Sequence, residues 1–115
     1  AAALHTLKAA SGRKIAVLGD MLELGDASME AHREIGKLAA GCGVDALITV
    51  GEMSKTVAES AVAAGLKAAS VHALANKADA IGALKLIVKE GDCVLVKGSR
   101  AVGLEAVVES LKAME

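Results

Sequence analysis

The stretch KIAVLG, residues Lys14–Gly19, is a short and nearly continuous apolar run that stops at a glycine, and it is the first of four such runs from which the fold can be inferred. Strands that are covered on both faces of a sheet require runs of this kind. Three more follow along the chain: DALITVG at residues 45–51, AASVHA at residues 68–73 and DCVLVKG at residues 92–98. We therefore predict four buried strands.

Apolar residues at helical spacing fill the stretch between the first two predicted strands. They are Ala31, Ile35, Leu38, Ala39 and Cys42. Ser28 or Asp26 can serve as the N-cap of this helix, and Gly41 or Gly43 can end it.

Three further helices are predicted by the same spacing. The second is marked by Val57, Ala58, Ala61 and Val62 and ends before Gly65. The third begins at Asn76, has Asp79 at the capping-box position and ends at Gly91. The fourth is marked by Leu104, Val107, Val108 and Leu111. Residues 1–10 also have a helical pattern without a cap before it, so we expect them to be the tail end of a helix in a longer protein.

Alternation of strands and helices predicts an α/β fold, a three-layer, doubly wound and mainly parallel sheet with right-handed crossovers. We predict the strand order 3-2-1-4. In that order the winding direction changes between the first and fourth strands, and ligands of open α/β sheets bind at such a point. The loops GDMLELGDAS and KGSRAVG would then flank one crevice at the carboxyl edge of the sheet.

Five residues are candidates for this crevice. Lys97, Ser99 and Arg100 follow the fourth strand, and Arg100 stands directly before a predicted helix, where a guanidinium can hold a carboxylate or phosphate in bidentate fashion. Asp20 follows the first strand, and His32 lies on the next helix. Each has a structural alternative: a solvated strand end for Lys97, an N-cap for Ser99, an ion pair for Arg100, and capping or packing for Asp20 and His32.

Composition argues against several classes of function. Hydrophobic residues make up 54% of the 115 residues, but Phe, Tyr, Trp and Pro are absent. A net charge of −1 and the lack of aromatic side chains argue against nucleic-acid binding. No apolar run approaches the ~20 residues of a membrane span, and the first residues lack the order of a signal peptide, so we expect a cytoplasmic protein.

Metal and nucleotide motifs do not fit the pattern. The two cysteines, Cys42 and Cys93, have no CxxC spacing, and reduced core thiols are the favoured interpretation over a disulfide or a metal site. GCGVDA, which begins at Gly41, leads into a strand, whereas the dinucleotide fingerprint must follow one. The chain contains no P-loop sequence, and a phosphorelay receiver is rejected because the second strand ends in TVG.

Two motifs resemble the C-terminal domain of the Mur ligases, on the branch that adds D-alanyl-D-alanine to UDP-N-acetylmuramoyl-tripeptide. The first, GRKIAVLGDMLELGDASMEAHREIGKLA at residues 12–39, combines G-D-M-x-E-L-G, a serine and H-x-x-[IV]-G. The second, VLVKGSRAVGLEAVVESL at residues 94–111, contains K-G-S-R followed by a hydrophobic residue and Glu. The resemblance covers nearly the whole chain, so residues 1–115 are expected to form a single domain of a longer ligase.

The resemblance implies an ATP- and Mg²⁺-dependent ligase in which the P-loop and the metal ligands belong to a central domain outside this chain. It implies that Lys97, Ser99 and Arg100 bind the acceptor dipeptide and that Asp20 lies near the nucleotide. For His32, its place on the helix after the loop favours packing or bracing of that loop over a chemical role. No catalytic residue and no metal site are expected here. The chain lacks the family's Asn-Pro motif, which belongs to the nucleotide pocket, so no cofactor is expected on the chain alone.

Two alternatives remain. The same fold could belong to another ligase of the superfamily, of the diaminopimelate-adding or folylpolyglutamate type. A freestanding module that binds a small anion in the crevice would belong to a different class of protein, and the uncapped start at Ala1 argues against it.

Overall fold

A parallel sheet of four strands forms the centre of the computed structural model, which describes residues 13–19, 28–52, 54–89, 92–97 and 109. The strands are β1 (Lys14–Gly19), β2 (Ala46–Val50), β3 (Val71–Leu74) and β4 (Cys93–Lys97). Their order is β3-β2-β1-β4, which confirms the predicted order 3-2-1-4.

The described helices are α1 (Ser28–Gly41), α2 (Ser54–Ala63) and α3 (Lys77–Ile87). The predicted cap of α3 is confirmed, because the backbone N–H of Asp79 donates to the side-chain oxygen of Asn76 at 2.9 Å. The predicted fourth helix lies outside the described residues except for Glu109, which is helical, and the predicted N-terminal helix lies wholly outside them.

Three predictions of local structure were wrong. Residues Ala68–Ser70 form a 3-10 turn before β3, in which the Ser70 N–H donates to the Lys67 carbonyl at 2.9 Å. Helix α3 ends at Ile87 rather than Gly91, because Val88 already has an extended backbone. Val62 is one of the four apolar residues whose spacing predicts α2, but it is 40% exposed and does not lie on the buried side of the helix. Short apolar stretches do not themselves fix where an element begins or which face of it is buried.

Helices cover the sheet on both faces. Helices α1 and α2 pack on one face, over a core that includes Ala16, Leu18, Ala39, Leu47, Val57 and Ala61. Helix α3 packs on the other face, over a core that includes Ile15, Val17, Ile48, Val50, Ala80 and Leu84. Alternate residues of the central strands point to opposite faces, so β1 and β2 contribute to both cores.

Gly36 brings α1 and α2 unusually close together. A Cβ atom at this position would lie 2.4 Å from the Val57 carbonyl oxygen and 2.8 Å from the Ser60 Cβ. Beside it, the Ser60 hydroxyl donates to the Arg33 carbonyl at 2.6 Å. Because only glycine lacks a side chain, this contact requires Gly36.

An ion pair joins the amino ends of the two strands that border the predicted crevice. The Arg13 guanidinium donates to both Asp92 carboxylate oxygens, at 3.1 and 2.7 Å, and also to the Ile87 carbonyl at the end of α3. The Lys89 N–H donates to the same carboxylate at 2.8 Å. The hydrogen bond with Arg13, and to a smaller extent that with the Lys89 N–H, lower the pKa of Asp92. The hydrogen bond with Asp92 raises the pKa of Arg13. The pair fixes β1, β4 and the end of α3 to one another.

Candidate functional site

The carboxyl ends of β1 and β4 lie side by side at one edge of the sheet. The strands are parallel and adjacent, with Leu18 of β1 in register with Lys97 of β4. Helix α1 follows β1 on one face, and α3 precedes β4 on the other, so the winding direction changes between these strands. The predicted switch point is therefore present, at the edge from which both signature loops leave the sheet.

The structure positions the predicted site residues to different extents. Lys97 is the last residue of β4, which places its backbone at this edge, next to Leu18. Asp20, Ser99 and Arg100 lie outside the described residues, so their assignment to the crevice stays a prediction.

His32 lies near the start of α1 and is fully buried. Its burial rules out a histidine that reaches solvent from the surface of the helix. The loop that His32 was predicted to brace lies outside the described residues, so bracing stays a prediction. Its burial under α1 agrees with the alternative of a packed histidine.

Sequence reasoning missed two further buried polar residues on the face of the sheet that α1 and α2 cover, Thr49 and Ser54. Both are fully buried, as is His32, and these three are the buried polar residues in the part of the chain that the structure describes. Thr49 is the next-to-last residue of β2, and Ser54 is the first residue of α2. A hydroxyl inside the otherwise apolar strand ALITV was the available signal.

The described residues offer no cluster of three or more His, Cys, Asp or Glu side chains that could hold a metal ion. Both cysteines are free thiols, with Cys42 buried and Cys93 half-buried. Among the described helices, none has the length and apolar character needed to cross a membrane.

Comparison with curated proteins finds similar sequences in several bacteria. The chain is 37% identical over 100 residues to the UDP-N-acetylmuramoyl-tripeptide–D-alanyl-D-alanine ligase of Bacillus subtilis, a match that covers 87% of this chain and 22% of that protein. The ligase of the same name from Escherichia coli is 35% identical over 113 residues, covering 96% of this chain and 24% of the relative. The chain thus spans about a quarter of the length of these relatives.

Solved structures with the same fold include MurF from Acinetobacter baumannii, with a TM-score of 0.80 and 30% identity over 96% of this chain and 24% of that one. MurF ligase from Thermotoga maritima, solved in complex with ADP, has a TM-score of 0.73 and 29% identity over 93% of this chain and 23% of that one. Residues 1–100 match the family model described as "Mur ligase, glutamate ligase domain". The chain therefore belongs to the Mur ligase family and corresponds to the C-terminal domain of these enzymes, the glutamate ligase domain.

Proposed function

We propose that the chain is the C-terminal domain of an ATP-dependent ligase that joins D-alanyl-D-alanine to UDP-N-acetylmuramoyl-tripeptide during synthesis of peptidoglycan precursors. Both curated relatives described above carry the name of that ligase. The domain positions the acceptor dipeptide and closes over ATP, and the remaining domains hold the nucleotide, Mg²⁺ and the sugar-linked tripeptide. A cytoplasmic location is part of the same proposal.

One observation carries the proposal: the two signature motifs occupy the two strands that meet at the switch point. The first motif includes all of β1, and the second begins in β4 and continues past Lys97. Because Leu18 and Lys97 are in register, the motif residues that follow each strand start from neighbouring positions. Two loops that leave adjoining strands at the same edge of the sheet can together position an anionic peptide.

The proposed reaction needs no nucleophilic side chain from this domain. The tripeptide carboxylate becomes an acyl phosphate at the expense of ATP, the dipeptide amine attacks its carbonyl carbon, and the tetrahedral intermediate expels phosphate. The domain contributes by orienting the amine and pairing with the dipeptide carboxylate. Lys97, Ser99 and Arg100 are the residues proposed for this pairing, with Asp20 near the nucleotide and His32 bracing the loop.

Activity assays can test the proposal directly. The full-length ligase is expected to release ADP when given ATP, Mg²⁺, UDP-N-acetylmuramoyl-tripeptide and D-alanyl-D-alanine, whereas the 115-residue chain alone is expected to release none. Meso-diaminopimelate and glutamate serve as competing acceptors. A full-length enzyme that used either of them in place of D-alanyl-D-alanine would assign the domain to another ligase of the superfamily. Turnover by the isolated chain would contradict the domain assignment.

Arg100 is expected to bind the carboxylate of the acceptor dipeptide. In the full-length ligase, Arg100→Ala should raise the KM for D-alanyl-D-alanine by about 30- to 160-fold, equivalent to about 2–3 kcal/mol for a charge-assisted pair, and leave the KM for ATP nearly unchanged. The KM of Arg100→Lys for D-alanyl-D-alanine should lie between those of the wild type and Arg100→Ala, because lysine keeps the charge but loses the bidentate fork.

Arg33→Ala is the matched control for Arg100→Ala, because Arg33 is exposed on α1. Steady-state kinetics with each substrate varied in turn will measure these effects. If Arg100→Ala instead lowered the melting temperature and left both KM values unchanged, Arg100 would be a structural ion-pair residue. The carboxylate contact would then move to Lys97 or to backbone N–H groups.

A further inference from the structure

Thr49 has a fully buried hydroxyl whose hydrogen bonding is incomplete. The side chain is 0% exposed, and its Oγ1 atom has no hydrogen-bond partner among the described residues. Leaving a buried polar group without a partner costs about 1–3 kcal/mol, so proteins rarely retain one without a reason. A valine has nearly the same shape and would avoid this cost.

The position of Thr49 relates it to the proposed crevice. It is the next-to-last residue of β2 and pairs in register with Leu18, which pairs in turn with Lys97. Thr49 therefore lies in the row of the sheet that reaches Lys97, close to the carboxyl edge. Its side chain lies on the α1 and α2 face, because it follows Leu47 of that core by two residues.

Other buried polar groups are concentrated in the same region. His32 lies near the start of α1, and Ser54 begins α2, so both helices carry a buried polar residue near the ends that approach the carboxyl edge. The core under α3 contains no such residue in the described part of the chain. Buried polarity is thus confined to one face, at the end of the sheet where the crevice opens.

We propose that Thr49 is a positioning residue for the ligase reaction, with a hydroxyl that gains its hydrogen-bond partner only when the enzyme holds its substrates. This inference rests on the proposed function. A hydroxyl that is unpaired in the free enzyme and paired in the bound enzyme lowers the free energy of the bound state relative to the free state. Binding is therefore coupled to the hydrogen bonding of the Thr49 hydroxyl. Thr49 does not itself touch the acceptor, since it is fully buried.

The test is Thr49→Val in the full-length ligase, measured by thermal unfolding with and without substrates and by steady-state kinetics. Without substrates, the variant should unfold at the same temperature as the wild type or higher. With ATP, Mg²⁺ and D-alanyl-D-alanine present, its gain in melting temperature should be smaller than that of the wild type. The kcat/KM for the acceptor should fall about fivefold, the equivalent of one neutral hydrogen bond, with the KM for ATP changed less than twofold.

Thr56→Val is the matched control, because Thr56 is half-buried on α2 and its hydroxyl already contacts the Met29 sulfur at 3.7 Å. It should leave the acceptor kcat/KM unchanged. Two results would overturn the role of Thr49. Equal acceptor kinetics for Thr49→Val and wild type would make the hydroxyl a buried defect without function. An equal loss of melting temperature with and without substrates would show a permanent partner, such as an internal water.

Failure of the proposed function gives a different result. A wild-type ligase that does not use D-alanyl-D-alanine refutes the proposed acceptor, whatever Thr49→Val does. A wild-type ligase that uses it, with a Thr49→Val variant of equal kinetics, refutes only the role of Thr49.

Discussion

The two faces of the sheet differ in what they bury. Beneath α1 and α2, the described core includes His32, Thr49 and Ser54, and the helices meet at a glycine contact. Beneath α3, the described core is apolar and is centred on residues such as Leu84. An apolar face stabilises the fold by burial alone. Burying polar groups costs stability, but their hydrogen bonds can fix the positions of the elements that carry them. Among the described residues, the buried polar groups therefore lie on the α1 and α2 face, which is also the face of Thr49.

The α3 face should be the more sensitive to lost apolar volume. Leu84→Ala removes a fully buried side chain from its core, and the cavity should lower the free energy of unfolding of the 115-residue chain by about 2–5 kcal/mol. Urea unfolding followed by circular dichroism will measure it. Leu86→Ala is the matched control on the same helix, because Leu86 is 88% exposed and its removal should change stability by less than about 0.5 kcal/mol. Equal effects would contradict the description of the α3 core.

The α1 and α2 face should be the more sensitive to added volume. Gly36→Ala places a methyl group against the Val57 carbonyl and should lower the free energy of unfolding by about 1–3 kcal/mol, despite the higher helix propensity of alanine. Gly82→Ala on α3 provides the comparison, because a Cβ there meets no atom within 4 Å. That change should stabilise the chain by about 0.5–1 kcal/mol. Urea unfolding of both variants will measure these effects. A Gly36→Ala variant as stable as the wild type would contradict the close contact of α1 and α2 at Gly36.

The Arg13–Asp92 pair, which joins the end of α3 to β1 and β4, should make stability depend on pH. Because the pKa of Asp92 is lower in the folded chain, the pair contributes fully above the unfolded pKa of about 4, and its contribution falls as the pH drops through the lower folded value. Asp92→Asn should lower the free energy of unfolding by about 1–2 kcal/mol at pH 7. Melting temperatures recorded between pH 7 and pH 2.5 should converge for the variant and the wild type at the acidic end. If the difference in melting temperature between variant and wild type stayed constant with pH, the loss of stability would come from packing rather than from charge.

Prediction from sequence succeeded where a pattern repeats over several residues. The four apolar runs predicted the strands, and their alternation with helices predicted a parallel sheet. The order 3-2-1-4 is one of several that this alternation allows, and the structure confirms it. It failed at single positions. The start of β3 was placed at Ala68, within what is a 3-10 turn, because Ala-Ala-Ser has no strong preference for either structure. The ion pair of Arg13 and Asp92 was missed because 79 residues separate the partners.

The candidate site was predicted only in part. Motif residues after β1 and β4 indicated the crevice, and the adjacency of those strands is confirmed. The roles of Asp20, Ser99 and Arg100 stay predictions, since these residues lie outside the described ranges. Thr49 was not singled out, because a threonine is common in strands and only its surroundings show that its hydroxyl is buried.

The class of fold and the family follow from the sequence alone, because apolar periodicity and the two motifs are local properties of the chain. The strand order depends on which strands pair, and the structure established it. Only the tertiary structure decided which polar groups are buried, that α1 and α2 meet at Gly36, and that Arg13 reaches Asp92. Burial and long-range pairing depend on elements that are distant in sequence. No local pattern contains them, and they arise only when the helices pack on the sheet.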